Sequence, residues 1–408
     1  MTGATLLTVG GPGAKTARMT GSRLIIGFAI LAIPVAIAPA ILASGAAVMD
    51  GRPRATLEGT TLAEGVPVLA VDPRWPQPLP GSWILGQVSG IAVDGRDNVW
   101  IVHRPRTLSA SDLGAEQVPP VAQCCTAAPA VLALDPEGSV VRSWGGPGAG
   151  YEWPESEHSI HVDAAGNVWI TSNGRDDHQV LKFAADGTFL LQIGRRGRTG
   201  GSNDTLYLGQ PAGLDTDLRT NEVYIADGYR NRRIIVFDAS TGRYKRHWGA
   251  YGSRPADTDD AAYDPAALPR QFGTPVHGVR LSRDGLVYVA DRSNDRIQVF
   301  RPDGEFVQEA TIAPATRALG SVWDVAFSHD SAQRYLYVAD GTNRKVWIVS
   351  RADLRVVGEF GRGGQNAGQF GWVHDLAVDS RGNVYTAEVD IYRRVQKFEY
   401  GGLPTPDE

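Results

Sequence analysis

Three of the eight histidines in the sequence lie at the same distance from a turn glycine. His158, His277 and His374 each come eight residues before the glycine of a short polar turn. Three imidazoles that face one point, with a fourth position left open, are typical of a catalytic zinc site. A single histidine of this kind would more often be a hydrogen-bonded core residue. The shared register of all three favours a common metal ion.

Three further polar residues are candidates for chemistry near these histidines. Arg104, Tyr229 and Arg292 each follow a predicted second strand of a repeat unit, so we expect them on the same face as the histidines. An arginine can hold a carboxylate through two parallel hydrogen bonds. A tyrosine close to a cation can act as a general base. From the residues alone, a surface role and a functional role are equally open for the two arginines.

Other charged residues are expected to be structural. Asp227, Asp291 and Asp340 end their strands, and we predict that each pairs with an arginine of the next strand. The predicted arginine partners are Arg233, Arg296 and Arg344. The remaining histidines do not share the register of the three. We expect His161, His178, His247 and His329 to be structural or at the surface, and His103 to lie near the site.

These residues belong to a unit that is repeated six times. Each unit has a short apolar strand, a turn with Asp, Asn or Gly, and a strand with an aromatic second residue. The turns and aromatic residues fall at 97–100, 166–169, 221–224, 285–288, 334–337 and 382–385. Polar turns of this kind connect antiparallel hairpins. Four such strands, repeated around an axis, predict an all-β, six-bladed β-propeller from about Pro80 to Phe398. The three histidines fall on alternate units, so the ring would gather them about its axis.

The predicted domain organisation follows from the repeat. The last unit has only three strands, and we expect the strand at 66–71 to complete it, which would remove two exposed edges. The propeller then covers residues 66–400. We predict a basic N-region at 1–22, a membrane anchor or signal segment at 23–49, a linker at 50–65 and a tail at 401–408. Long inserts at 105–128 and 253–271 would be loops.

The N-terminal segment predicts export. Basic residues precede an apolar run from Leu24 to Met49, which is longer than a usual signal-peptide core and fits a hydrophobic, membrane-spanning helix. The small residues around Ser44 resemble a cleavage site, so a cleaved signal stays open. In both cases the positive flank stays inside, and the propeller is periplasmic or extracellular.

Charge and cysteine content exclude some functions. The formal net charge is −5, and no basic stretch is interleaved with aromatic residues, so we expect no nucleic-acid partner. The two cysteines, Cys124 and Cys125, are adjacent, and neighbouring cysteines rarely close a disulfide. We expect an inert loop pair, with a free or intermolecular thiol pair as the alternative.

Two family resemblances rest on these residues. The segments 287–291 and 296–300 resemble the NHL repeat, which implies a fold and no chemistry. The propeller as a whole resembles peptidyl-α-hydroxyglycine α-amidating lyase. That resemblance is carried by the segments 102–104, 226–229 and 289–292, together with His158 and the pair His374–Asp375.

The lyase resemblance implies roles for individual residues. His158, His277 and His374 match the zinc ligands, Tyr229 matches the proposed base, and Arg104 and Arg292 match two active-site arginines. A structural calcium on the axis would be held by the carboxylate of Asp375 and the backbone carbonyls of Ile91 and Ile160. Trp372 stands where the animal enzymes have a methionine, and the cysteines that staple the animal propellers are missing, so the identity of the substrate is the least secure part of the resemblance.

The implied reaction splits a peptide or N-acyl α-hydroxyglycine into an amide and glyoxylate. It needs no redox cofactor. The hydroxylated substrate would come from another protein, such as a separate monooxygenase, or from another source, and we expect the lyase to be a monomer. Two rivals remain. One is a non-catalytic exported propeller that binds a protein or cell-envelope ligand. The other is a different propeller hydrolase such as a lactonase, which would usually hold calcium through carboxylate and Asn side chains.

Overall fold

The computed structural model describes residues 65–258 and 263–403. The predicted N-region, anchor and linker therefore lie outside the described residues, apart from Gly65. Within the described part, no helix has both the length and the apolar character needed to cross a membrane. Its helical elements are four single 3-10 turns. These turns are Pro80–Ser82, Pro105–Thr107, Ala250–Gly252 and Arg292–Asn294.

Six antiparallel sheets of four strands each form the fold, as the repeat predicts. In the first three blades, the chain passes from the innermost strand to the outermost. Blade 1 contains β3 (Gln87–Val93), β4 (Val99–Arg104), β6 (Val131–Leu134) and β7 (Val140–Trp144). Blade 2 contains β8 (Glu157–Val162), β9 (Val168–Ser172), β10 (Gln179–Phe183) and β11 (Phe189–Gly194). Blade 3 contains β12 (Leu214–Asp217), β13 (Glu222–Asp227), β14 (Arg233–Asp238) and β15 (Tyr244–Trp248).

The other three blades repeat this order, and the last one draws its outer strand from the start of the domain. Blade 4 contains β16 (Gly278–Leu281), β17 (Val287–Asp291), β18 (Arg296–Phe300) and β19 (Phe306–Thr311). Blade 5 contains β20 (Asp324–Phe327), β21 (Tyr335–Asp340), β22 (Lys345–Ser350) and β23 (Val356–Phe360). Blade 6 contains β24 (Trp372–Val378), β25 (Val384–Val389), β26 (Val395–Tyr400) and β1 (Leu69–Asp72).

The ring closes through strand β1. The strand expected at 66–71 lies at Leu69–Asp72 and pairs antiparallel with β26. A further pair of short parallel strands, β2 (Trp83–Ile84) and β5 (Thr126–Ala127), ties the base of the long 105–128 insert to the residues before blade 1. Backbone hydrogen bonds therefore hold both strand β1 and the base of the long insert.

The hydrophobic core lies between blades. Six buried clusters each join side chains from two neighbouring blades. The aromatic residue near the start of the second strand of each blade packs there, and all six of these aromatic residues are at most 2% exposed. They are Trp100, Trp169, Tyr224, Tyr288, Tyr337 and Tyr385. Because each blade buries its apolar face only against its neighbours, the closed ring is the unit of stability.

Close approach of the inner strands fixes the axis. A Cβ atom at Gly90 of β3 would lie 2.6 Å from the backbone nitrogen of Ile160 in β8. Only glycine allows these two inner strands to approach so closely. The narrow axis is what brings side chains of different blades within reach of one another.

Buried ion pairs brace the outer part of several blades. Asp227 accepts from Arg233 Nε at 2.9 Å, and Asp291 accepts from Arg296 Nε at 2.7 Å, as predicted. The predicted pair of Asp340 with Arg344 is wrong. Asp340 instead accepts from the side chains of Asn343 and Trp347, because the strand register places Lys345, and not Arg344, opposite Asp340.

Removal of one of these buried arginines should cost much of the fold's stability. Arg233 also donates to the carbonyls of Ser202 and Tyr207. We expect Arg233→Met to lower the free energy of unfolding by about 3–5 kcal/mol, because Asp227 would be left buried without its partner. Urea unfolding measures this loss. Arg219→Met is the control, since the Arg219–Asp217 pair is exposed and should contribute less than about 1 kcal/mol. Equal losses in the two variants would contradict the assignment.

The cysteine prediction was wrong. Cys124 and Cys125 form a disulfide with each other in the 105–128 insert. The expectation rested on how seldom neighbouring cysteines pair. The disulfide joins only adjacent residues, so it closes no long loop of the chain.

Candidate metal centre

The three histidines converge on one point near the axis. His158 lies in β8 of blade 2, His277 directly precedes β16 of blade 4, and His374 lies in β24 of blade 6. Their candidate ligand nitrogens all lie within 4.8 Å of one another. The ring centroids are 4.7–4.9 Å apart, and all three side chains are buried. The register identified in the sequence therefore becomes a cluster in space.

Hydrogen bonds orient two of the rings. His158 Nδ1 lies 2.9 Å from the carbonyl of Ala212, and His277 Nδ1 lies 2.5 Å from the carbonyl of Trp323. A carbonyl can only accept, so each Nδ1 carries the proton and each Nε2 presents its lone pair. A hydrogen bond from the ring nitrogen that does not bind the metal is the usual way in which proteins orient a metal-binding imidazole.

The cluster fits a metal ion better than it fits a satisfied core. His277 Nε2 and His374 Nδ1 are buried and have no hydrogen-bond partner among residues 65–258 and 263–403. Burial, followed by the charges of neighbouring cationic groups, lowers the pKa of His158, His277 and His374 well below the usual value. Neutral imidazole is the form that binds zinc.

Tyr229 is in direct contact with the histidines. Its hydroxyl lies 2.9 Å from His158 Nε2 and accepts from Arg292 Nη1 at 3.4 Å. Gly228 makes this placement possible, because a Cβ at that position would lie 1.8 Å from the carbonyl of Val276, next to His277. The tyrosine oxygen thus lies between a metal-site histidine and a guanidinium.

The two arginines lie on the same side of the cluster. Arg292 is buried, its guanidinium stacks 4.4 Å from the ring of Trp323, and its Nε has no partner. Arg104 donates only to neutral oxygens, those of Glu157, Gln87 and Asn173. Neither forms a salt bridge with a carboxylate within the described residues, although the buried carboxyl group of Glu157 is close enough to Arg104 to interact with its charge, so both guanidinium groups can receive an anionic ligand.

Sequence reasoning missed the residues that hold Arg104. Gln87 and Asn173 come from blades 1 and 2, and neither belongs to the repeated pattern. Glu157, whose backbone carbonyl accepts from Arg104, is buried, and burial raises the pKa of its carboxyl group. The one sequence signal for Glu157 was its position directly before His158. Trp323 was also missed. Its carbonyl contacts His277, and its ring stacks against the guanidinium of Arg292.

Known proteins resemble this chain in its repeat and in its wider sequence. The NHL repeat model matches residues 276–300. Human NHL repeat-containing protein 3 is 30% identical over 281 residues, which cover 66% of this chain and 72% of that protein. The chain belongs to the NHL-repeat family. Its relatives also include peptide-amidation enzymes, so this NHL propeller is related to them.

Two of those enzymes illustrate the relation. Peptidyl-glycine alpha-amidating monooxygenase B of Xenopus laevis is 28% identical over 322 residues, which cover 74% of this chain and 33% of that protein. Peptidyl-alpha-hydroxyglycine alpha-amidating lyase 2 of Drosophila melanogaster is 29% identical over 186 residues, which cover 44% of this chain and 42% of that protein. The NHL propeller thus spans about a third of the length of the monooxygenase.

The residues expected to hold calcium lie close to the axis, and the carboxylate of Asp375 already accepts three hydrogen bonds. Asp375 Oδ2 accepts from the backbone N–H of Ile91 at 3.2 Å. Asp375 Oδ1 accepts from Arg280 Nη2 at 3.1 Å and from the N–H of Leu376 at 2.8 Å. The guanidinium of Arg280 therefore already lies beside the carboxylate that a calcium ion would use. Sequence reasoning had assigned no role to Arg280.

His103 is structural, although it adjoins Arg104. Its Nδ1 accepts from the N–H of Gly86 at 3.1 Å, and its Nε2 lies 3.0 Å from the carbonyl of Pro129. Burial lowers the pKa of His103 from 6.5 to about 4. The ring is therefore neutral in the native propeller at every pH near neutrality.

This burial predicts a pH dependence of stability. Between pH 6.5 and 4 the unfolded chain binds a proton at residue 103 that the native propeller does not bind, so acidification in this window destabilises the fold. The shift corresponds to at most about 3 kcal/mol. We expect His103→Asn to be less stable than wild type at neutral pH and to lose less stability on acidification. Urea unfolding at several pH values measures both slopes, and identical slopes would contradict the role assigned to His103.

Proposed function

We propose that this NHL propeller is a zinc-dependent lyase that cleaves the C–N bond of a peptide or N-acyl α-hydroxyglycine. The products are an amide and glyoxylate. One observation carries the proposal: three buried histidines from alternate blades surround one point, with a tyrosine hydroxyl and two arginines beside it. The relation to amidating lyases agrees with this reading.

The three histidines would hold zinc, which as a Lewis acid would make the substrate hydroxyl more acidic. The carbonyls of Ala212 and Trp323 already orient the rings of His158 and His277, so these rings would need little reorientation to bind zinc. Calcium, which the lyase resemblance also implies, has no step in the reaction proposed.

The residues of the chain supply binding and proton transfer. Arg292 and Arg104 would hold the terminal carboxylate and fix the orientation of the C–N bond. Tyr229 would take the proton from the α-hydroxyl group, whose oxygen then forms the C=O bond of glyoxylate as the C–N bond breaks. The leaving amide nitrogen receives a proton, and Tyr229 is placed to return it. Atoms balance without an oxidant or reductant.

The biological setting is also a proposal. The chain would be exported and held at the membrane by residues 23–49, and it would act as a monomer. A separate monooxygenase would supply the hydroxylated substrate. No nucleic acid takes part.

The direct test is glyoxylate release. The full-length protein is incubated with a synthetic N-acyl-α-hydroxyglycine, and glyoxylate is measured with and without a zinc chelator. We expect release that the chelator abolishes and added zinc restores. Hydrolysis of a lactone without glyoxylate release would favour the rival hydrolase. Neither activity, together with no bound zinc, would favour a ligand-binding NHL propeller.

A further inference from the structure

Arg280 lies where five blades meet around the axis. It belongs to β16 of blade 4, and its Nη2 lies 2.6 Å from Asp324 in blade 5 and 3.1 Å from Asp375 in blade 6. Its Nη1 donates to the carbonyl of Leu214 in blade 3 at 3.3 Å. Through Asp375, which accepts from Ile91, the network reaches blade 1. One side chain therefore links five of the six blades.

The charges around Arg280 require a cation. Asp324, Asp375 and Asp215 surround the guanidinium, and Asp215 also accepts from the N–H of Leu281 at 2.8 Å. Burial by itself would lower the pKa of Arg280, but the three carboxylates outweigh burial and raise it. Burial and the neighbouring Asp375 raise the pKa of Asp324 well above its usual value, and the carboxylates that stay ionised repel one another unless a positive charge lies between them. Arg280 supplies that charge.

Arg280 also separates two spaces on the axis. It lines the small space below the histidines, together with Asp324 and Asp375. It also lines the larger axial cavity of about 320 Å³, whose wall includes Ile91, Ile160 and Asp215. The guanidinium thus lies between the metal centre and this cavity, beside the residues that the lyase resemblance assigns to calcium.

We propose that the Arg280 guanidinium takes the place of the axial calcium ion in this propeller. The positive charge that neutralises Asp375 and holds the blades together is part of the chain and needs no dissolved ion. Arg280 is a positioning residue: it fixes Asp375, and Asp375 directly follows His374. The inference departs from the calcium expectation and concerns neither the zinc ligands nor the reaction.

The test measures calcium binding and thermal unfolding, which do not depend on lyase activity. Full-length wild-type protein is equilibrated with calcium, desalted and analysed for metals, and its midpoint of thermal unfolding is measured with EGTA and with excess calcium. We expect far less than one calcium per chain and the same midpoint in both solutions. We expect Arg280→Ala to unfold at a lower temperature, and calcium to raise its midpoint by at least about 3 °C, because the freed carboxylates can then bind the ion.

Two further variants complete the experiment. Arg280→Lys keeps a positive charge and should show no response to calcium, even if Arg280→Ala fails to fold. Arg283→Ala is the matched control, since Arg283 lines the same cavity but donates to the carbonyls of His329 and Asp330. Stoichiometric calcium in wild-type protein, with a midpoint that falls in EGTA, would overturn the proposal. An Arg280→Ala midpoint equal to that of wild type would also overturn it. A failure of the glyoxylate assay would leave these results unaffected.

Discussion

Substitution of His277 by alanine is expected to remove both zinc and lyase activity. The ring of His277 is buried, its Nδ1 contacts the carbonyl of Trp323, and its Nε2 has no other partner in the described residues. Without it, His158 and His374 alone would bind zinc weakly. A Lewis-acid contribution of several kcal/mol corresponds to a loss of at least about 1,000-fold in kcat/KM. Glyoxylate release and zinc content of the same preparation measure the two effects.

A second histidine provides the control for this variant. His247 lies in the outer strand β15, where its Nδ1 contacts the hydroxyl of Tyr244 at 2.9 Å. His247→Ala should keep wild-type zinc content and activity. Far-UV circular dichroism checks that both variants are folded. A folded His277→Ala protein that retains stoichiometric zinc and the wild-type rate would refute the three-histidine site.

Substitution of Tyr229 by phenylalanine is expected to abolish catalysis while zinc stays bound. The change removes one oxygen, which contacts His158 Nε2 and Arg292 Nη1. Loss of a positioned general base typically costs about 10²–10⁴-fold in rate. We expect this loss in kcat, with KM little changed, because Arg104 and Arg292 would still hold the carboxylate.

Tyr244→Phe is the matched control for the loss of a hydroxyl group. Tyr244 lies in β15, the outermost strand of blade 3. Its hydroxyl contacts His247, which is not one of the three clustered histidines. Its rate should equal that of wild type. If Tyr229→Phe kept a rate close to that of wild type, Tyr229 could not be the base, although the zinc site itself would stand.

Repetition made the fold readable from the sequence. The turn and aromatic pattern predicted six blades, and the six sheets confirm this architecture. The same periodicity placed His158, His277 and His374 at equivalent radial positions, because rotational symmetry converts equal register into a shared axis. The structure also brings Tyr229, Arg104 and Arg292 to the histidine face, as the antiparallel order of the strands predicts.

Residues outside the repeat could not be placed in this way. Arg280 follows His277 by three residues, but the sequence does not reveal that its long side chain reaches Asp324 and Asp375 across two blades. The Asp340–Arg344 pair was assumed by analogy with other blades. It fails because Lys345 occupies the register position that Arg233 and Arg296 hold in blades 3 and 4. Contacts that depend on the reach of one side chain, such as those of Arg280, are not encoded by period or register.

The most direct test of the metal centre is anomalous X-ray diffraction from crystals of the zinc-loaded protein, with data collected on both sides of the zinc absorption edge. We predict one anomalous peak on the propeller axis, about 2.0–2.1 Å from one nitrogen each of His158, His277 and His374. A map with no peak there, or with the three rings too far apart to reach one ion, would contradict the account.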